Sequence, residues 1–333
     1  MTALDTDAEL LHGSRRPPTE PQELPFLSII VPVKNDARRL AVCLRSLRLQ
    51  DYPTERYEVI VVDNGSSDGS GRVAAEAGAN VLEHPQLAVG ALRNRGVAAA
   101  RGTVLAFVDA DHELPRDWLH AGQNVLLSDS GIHAAGAPCL APPQGTWVQR
   151  YWQMHRLKAG DRRLVDWLGA GNLFVRREAF EQAGGFREDL IAAEDVDLCL
   201  RLKRQGVIAS DPGIRNVHHG EPQTLVEFFR KEYWRGSSGV RAFVKQGFPL
   251  RELPSLLFPA YFVVAVAALL VALIAAWQIS WGPAMVAAAA IMLPGLALAM
   301  VTSWRNKNAV AVLPLSLLYT TYGLARAAAL FKR

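Results

Sequence analysis

Hydrophobic and polar positions alternate in short bursts through the first three quarters of the chain and give way to long apolar runs in the last. Leu27-Ser28-Ile29-Ile30-Val31, bounded by Pro25 and Pro32, predicts a strand, with Pro32-Val33-Lys34-Asn35-Asp36 as the loop at its carboxyl end. Leu40, Leu44 and Leu47 then recur at helical spacing, with Arg38, Arg39, Arg45 and Arg48 on the wet side. Tyr57-Glu58-Val59-Ile60-Val61-Val62 predicts a second strand ending on Asp63-Asn64-Gly65-Ser66-Ser67-Asp68-Gly69, a turn of residues that bond their own backbone. Strand, helix, strand at this spacing is a βαβ unit, so a parallel sheet is expected. A helix over Ser70–Ala77, a short strand at Asn80-Val81-Leu82 and a helix of small residues over Val89–Ala100 follow.

Val104-Leu105-Ala106-Phe107-Val108 is apolar on every position, as in a central strand covered on both faces, and it stops on Asp109-Ala110-Asp111. Ligands collect at the carboxyl ends of such strands. Asp36, Asp63 and the Asp109/Asp111 pair are therefore expected at one edge, with Asp109 and Asp111 on the same side if the strand continues through them. Two hard oxygen donors suit a divalent cation that also binds phosphates; an acidic turn leading into a helix at Pro115–Trp118 is the competing reading.

From 116 to 170 the pattern loosens and turns aromatic at Trp147, Tyr151, Trp152 and Trp167, which fits either a sugar- or lipid-facing wall or core packing. Gly169–Arg177 reads as a strand-like return. Ala193–Lys203 predicts a helix with Glu194, Asp195 and Asp197 in its first turn. These acids complement the helix dipole, or one of them faces the cleft as a general base. His218 and His219 follow in Asn216-Val217-His218-His219-Gly220, where an imidazole is either a metal ligand or merely exposed.

Three apolar stretches close the chain: 256–277, 283–302 and 309–326. The first two are 22 and 20 residues without a charge, enough to cross a bilayer, with a buried helical hairpin as the alternative. The third is shorter and carries Arg326, so spanning and interfacial placements stay open.

Composition adds little until charge is mapped. The 333 residues are 50% hydrophobic with a net charge of +4, too small to imply nucleic acid. Residues 201–251, however, hold ten Lys/Arg against four Asp/Glu, a basic skirt before the first apolar stretch. Beside a bilayer that is the cytoplasmic pattern, and Arg305 and Lys307 fall on the same side. Cys43, Cys139 and Cys199 form neither a disulfide framework nor a zinc motif. Residues 1–25 read as a flexible leader, 26–250 as the main domain and 251–333 as a membrane region of two to three helices. No Gly-x-Gly-x-x-Gly follows the first strand and no Gly-Lys-Ser/Thr occurs, which disfavours dinucleotide and P-loop sites.

Taken together, Ile29–Asp36, Val62–Asp68, Arg93-Asn94, Asp109-Ala110-Asp111, Gly171-Asn172 with Gly184-Gly185-Phe186, and Glu194-Asp195 resemble the family 2 glycosyltransferases of the membrane-anchored bacterial type. The resemblance covers about residues 27–240. It implies a GT-A fold, a Rossmann-like, mostly parallel α/β sheet, followed here by C-terminal transmembrane helices. It implies an inverting transferase that moves a sugar from a nucleotide-diphosphate-sugar donor with Mg²⁺ or Mn²⁺. Pro32, Asp36, Asp63, Arg93 and Asp109 match donor-binding positions, to which Gly171, Asn172 and Glu194 are added. Asp111 matches a metal ligand, one of His218 and His219 the downstream metal-binding histidine, and Asp195 the catalytic base. Lys34 stands where the family often has Tyr. Lys231–Gly236 departs from the Gln-x-x-Arg-Trp of processive members, which favours transfer of a single sugar. The expected acceptor is lipid-linked or a membrane-proximal glycan, in envelope or exopolysaccharide synthesis at the inner membrane, with the catalytic domain cytoplasmic and membrane lipids as neighbours. A sugar nucleotidyltransferase and a non-catalytic membrane scaffold are the rivals.

Overall fold

The structure is a computed structural model that describes residues 24–156, 161–190, 192–245, 253–276 and 280–331. The leader expected over 1–25 lies, up to residue 23, outside the described residues. The chain forms two compact units. The first comprises residues 1–140 and 160–220, and the second residues 141–159 and 221–333.

The first unit is built on a mixed sheet. In chain order its elements are β1 (Leu27–Val33), α1 (Ala37–Arg48), β2 (Tyr57–Asp63), α2 (Ser70–Glu76), β3 (Asn80–Glu83), α3 (Val89–Ala99), β4 (Val104–Val108), β5 (His112–Glu113), α4 (Trp118–Leu127) and β6 (Ile132–Gly136). After the excursion into the second unit come β7 (Arg163–Val165), β8 (Asn172–Arg176), α6 (Arg177–Gln182), α7 (Glu194–Leu202), β9 (Val207–Ser210) and β10 (Val217–His218). The omitted helix, α5 (Trp147–Arg156), belongs to the second unit. Eight strands lie in the order β3-β2-β1-β4-β8-β6-β9-β7, and β5 pairs with β10 in a separate two-stranded ladder. β3, β2, β1 and β4 run parallel, as the βαβ pattern requires, whereas β8 enters antiparallel beside β4. The result is the mostly parallel α/β sheet expected from the sequence.

The period-2 geometry of strands divides the core cleanly. Ile29, Val31, Val61, Ala106 and Val108 face Leu40, Cys43, Leu44 and Leu47 of α1 and Trp118 of α4. The intervening Ile30, Ile60, Val62, Leu105 and Phe107 face Leu92 and Val97 of α3 and Leu198 and Leu202 of α7. With both faces covered, β1 and β4 are buried at every position, which is why they read as unbroken apolar runs.

Two expectations are corrected. β1 does not stop before Pro32: Pro32 and Val33 continue it in register with Val62 and Asp63, past Ile30, the last residue of β1 paired with β4. With a neighbour strand on one side only, the missing N–H is tolerated there. And β4 ends at Val108, so Asp109 and Asp111 stand in the turn before β5 and not on one strand face.

The second unit is helical: α5, α8 (Leu225–Lys245), α9 (Leu253–Ala276), α10 (Gly282–Arg305) and α11 (Val312–Ala329). Trp147, Tyr151 and Trp152 pack with Phe228, Leu315, Leu318 and Tyr319, so for these three the core-packing reading holds. Along the chain, the last residue of the first unit is Gly220. Leu257–Ala276 and Gly282–Arg305 are long and apolar enough to cross a membrane, and Val264, Val271, Ile274, Met285, Val286 and Leu293 on them are exposed. α11 is different. It buries Leu315, Leu318, Tyr319 and Gly323, and Arg326 donates to the buried Glu232 of α8 at 2.8 Å.

Candidate active site

The carboxyl ends of β1, β2 and β4 form one edge whose loops are bound to each other. Asn35, in the left-handed region at φ 51°, donates its backbone N–H to Ser66 Oγ (2.9 Å) and accepts from the Ser67 amide at 2.8 Å. Ala37 N–H donates to Asp68 Oδ2 (2.8 Å), and the buried Asp63 accepts from Ser66 N–H (2.9 Å). The Asp, Asn and Ser residues of the second loop thus act as acceptors for amides that no strand satisfies. Asp36 is held by Arg39, whose Nε lies 2.9 and 2.8 Å from its two oxygens. Another nitrogen of Arg39 lies 3.9 Å from Asp111, which ties the first strand end to the fourth.

Arg93 occupies the centre. It projects from α3, whose Gly90 lies so close to Arg187 and Phe186 that an added Cβ would sit 3.0 Å from the Arg187 carbonyl. Buried to 3% exposure, the guanidinium donates to Asp109 Oδ1 at 2.7 Å and to Glu194 Oε1 at 2.7 Å, and stacks over Phe186. Burial works against its charge, and the two carboxylates more than offset that, so its pKa is raised.

Asp111 turns elsewhere. Its Oδ2 lies 3.0 Å from His218 Nε2, and His218 faces His112 across the β5–β10 ladder with ring centroids 4.5 Å apart. Ligand atoms of Asp111, His112 and His218 all fall within 4.8 Å of one another. Burial would raise the Asp111 pKa, but the hydrogen bond from His218 and the charges of His218, His112 and Arg39 hold it well below the usual carboxylate range. Two glycines leave room for this cluster. A Cβ on Gly220 would lie 1.8 Å from Asp111 Oδ2 and 2.9 Å from His218 Nε2; one on Gly171 would lie 2.3 Å from His112 Cε1 and 2.8 Å from Asp109 Oδ2. His219 is placed outside it: its ring bonds Glu113 at 2.8 Å, while its backbone N–H donates to the Asp111 carbonyl.

Asp195 stands in the first turn of α7, after Ala193 at φ 63°. An alanine in that region costs roughly 1–2 kcal/mol, and strain of this kind collects where position matters more than comfort. Its Oδ1 accepts from Val196 N–H at 2.8 Å, and the Ala170 amide also reaches it. Burial first, then the neighbouring Glu194, raise its pKa against the pull of Arg93 and the two amides. A carboxylate kept ready to take a proton is the chemistry of a general base.

Asn172 is the predicted donor-binding residue that faces inward. It is fully buried, accepts from Trp118 Nε1 at 2.8 Å, and donates to the carbonyls of Ala137 (3.0 Å) and Ile214 (2.6 Å), which leaves its amide no side open to a ligand. Its work is to fix β8 against α4 and the strand ends beside it. Residues the sequence reading missed are Arg39 and His112. The first lies on the wet face of a predicted helix and the second between two acids, so neither has a local signal of its own.

A profile described as glycosyl transferase family 2 matches residues 28–181. Glycosyltransferase AglE of Haloferax volcanii is 31% identical over 244 residues, covering 69% of this chain and 78% of its own. The chain belongs to glycosyltransferase family 2. A second relative, the pre-mycofactocin glycosyltransferase of Mycobacterium tuberculosis, is 31% identical over 70% of this chain, which spans half of that protein's length. Among solved structures, a mannosyltransferase from Pyrobaculum calidifontis, in complex with GDP-Man and Mn²⁺, superposes over 99% of this chain and 95% of its own at a TM-score of 0.60 and 19% identity, a likeness of fold. The family 2 assignment and this likeness bear out the GT-A fold. Asp111 with its two imidazoles is a donor set that fits a divalent cation in such an enzyme.

Proposed function

We propose that this family 2 glycosyltransferase is an inverting, divalent-cation-dependent enzyme. In this reading it moves one sugar from a nucleoside-diphosphate-sugar to a lipid-linked or membrane-proximal acceptor. The observation that carries the reading is the Asp109–Arg93–Glu194 chain, which joins the strand-end acids to the helix that presents Asp195. The site therefore has an anionic, cation-competent side and a separate basic carboxylate, as a single displacement needs.

In this reading Asp195 takes the proton of the acceptor hydroxyl as its oxygen bonds to the anomeric carbon. The bond from that carbon to the donor diphosphate breaks on the opposite face, and the configuration inverts. Asp111 and His218 would hold the cation, which when bound would offset the charge of the departing diphosphate. Arg39 and Arg93 keep the surrounding carboxylates in place. Asp36 and Asp63 line the nucleotide side, with Pro32 backing it from within β1. The mannosyltransferase solved with GDP-Man and Mn²⁺ supports a nucleotide-sugar donor. The apolar α9 and α10 support multi-pass anchoring in the cell membrane, and the basic skirt a cytoplasmic catalytic unit.

The test is product analysis with full-length protein, Mn²⁺ and a panel of nucleotide-sugars over membrane-lipid acceptors. Release of a nucleoside diphosphate and a glycoside of inverted configuration is expected, with both abolished in Asp195→Asn. A retained anomeric configuration, or release of inorganic diphosphate, would overturn the proposal.

A further inference from the structure

His112 is the residue that the proposed chemistry leaves without work. Its side chain is 2% exposed, and apart from the weak hydrogen bond of the Cys139 thiol neither ring nitrogen meets a partner. A buried imidazole served by so weak a partner recovers little of what it lost in leaving water, so it needs a reason to be there. The surroundings supply one. His112 follows Asp111 directly, is the cross-strand partner of His218, and brings a ring nitrogen within 4.8 Å of ligand atoms on both. Gly171 leaves open the space that a Cβ would take 2.3 Å from His112 Cε1 and 3.1 Å from its Nδ1. Gly220 does the same beside Asp111 and His218. Two gaps where any side chain would intrude thus flank three donors, one of which is bonded by no more than a thiol among the partners described.

We propose that His112 is a third protein ligand of the cation, so that the site offers one carboxylate and two imidazoles, from His112 and His218, and selects late first-row divalent ions over Mg²⁺. The proposal rests on the cation-dependent reading above. Its chemistry follows from donor type. Mg²⁺ demands oxygen ligands and gives up water reluctantly, whereas affinity for nitrogen donors rises from Mn²⁺ through Co²⁺ to Ni²⁺. Had His112 been Asn or Asp, the same pocket would lean towards Mg²⁺. His219, the other candidate from the sequence, is engaged with Glu113, and its ring belongs to no three-donor group among the described residues.

Pulsed EPR on the full-length protein loaded with Mn²⁺, without donor, counts the nitrogens bound to the ion. Two coordinated imidazoles are expected in the native protein, one in His112→Gln, one in His218→Gln and two in His219→Gln. Competition titrations give an independent readout. His112→Gln should weaken Co²⁺ and Mn²⁺ by about 10–100-fold, the range for disturbing a metal's ligand environment, and Mg²⁺ by less than ~3-fold. A single imidazole in the native protein, or two that survive in His112→Gln, overturns the assignment while leaving the cation at Asp111 and His218. An ion with no coordinated nitrogen, bound equally well by Asp111→Asn, overturns the cation site itself. The native nitrogen count decides the matter even if His112→Gln does not fold.

Discussion

Arg93→Met removes the buried cation that two acids share, with little change of volume. Glu194, with a side chain 10% exposed, would be left as a buried charge without its partner, a change that costs about 3–5 kcal/mol. Asp109 is 38% exposed at its side chain, so water replaces much of what it loses and its share is no more than about 1 kcal/mol. The contact with Phe186 adds about 0.5–1 kcal/mol. Since these losses are not additive, a total near 4 kcal/mol is expected from denaturant unfolding of full-length protein followed by tryptophan fluorescence. Glu194→Gln in the Arg93→Met background should return about half of it, because the amide carries no charge to strand. The kinetics should respond as well. Arg93 is one of the influences that pull Asp195 down, so without it the acid limb of the pH–rate profile should move to higher pH. The reasoning is refuted if Arg93→Met costs under ~1 kcal/mol, or if Glu194→Gln brings no recovery.

Asp195→Asn should lower turnover by about 10²–10⁴-fold, yet raise the midpoint of thermal unfolding at neutral pH. The folded pKa of Asp195 lies above its unfolded value, so the native protein is penalised as pH rises through it. The stability advantage of the variant should therefore vanish below the ordinary aspartate range near ~3.9, which unfolding scans across pH will show. In the native enzyme, activity should fall on the acid side at a pH above that range, because the base must be ionised. Gly220→Ala places a methyl 1.8 Å from Asp111 Oδ2, and calorimetric titration should find Mn²⁺ affinity at least ~10-fold weaker with the fold intact by circular dichroism. Arg326→Ala leaves Glu232, 2% exposed, with Arg235 alone among the ion pairs described for it, and should destabilise the helical unit by about 2–3 kcal/mol in unfolding measurements.

The sheet was legible because burial on both faces writes itself into β1 and β4 as unbroken apolar runs, and because Asp63 and Asp36 mark where two strands end. The elements between 116 and 170 were harder to see. β6 is Ile-His-Ala-Ala-Gly, ending in three small residues that pair side by side with β8, and an added Cβ on its Gly136 would meet the Asn172 carbonyl at 2.2 Å. A strand whose identity depends on how close its neighbour lies carries no periodic signal. The aromatic stripe of α5 was visible, but its partners Phe228, Leu315 and Tyr319 lie far along the chain, so its face could not be assigned beforehand.

The acids of the site show the same limit more sharply. Alternation along a strand would put Asp109 and Asp111 to one use, yet β4 ends at Val108, before either acid, and the rule does not apply. The turn sends Asp109 to Arg93 and, through it, to Glu194, while Asp111 goes to His218. One motif thus serves two networks, one leading to the helix that carries Asp195 and one to the imidazole of His218. His112 was invisible for a related reason. Its meaning depends on β10, a two-residue strand that arrives about a hundred residues later and is recognisable only by its pairing. Local pattern can announce that carboxylates gather at a sheet edge. Which partner each one meets is decided by the return of distant chain, and the chemistry follows from that pairing.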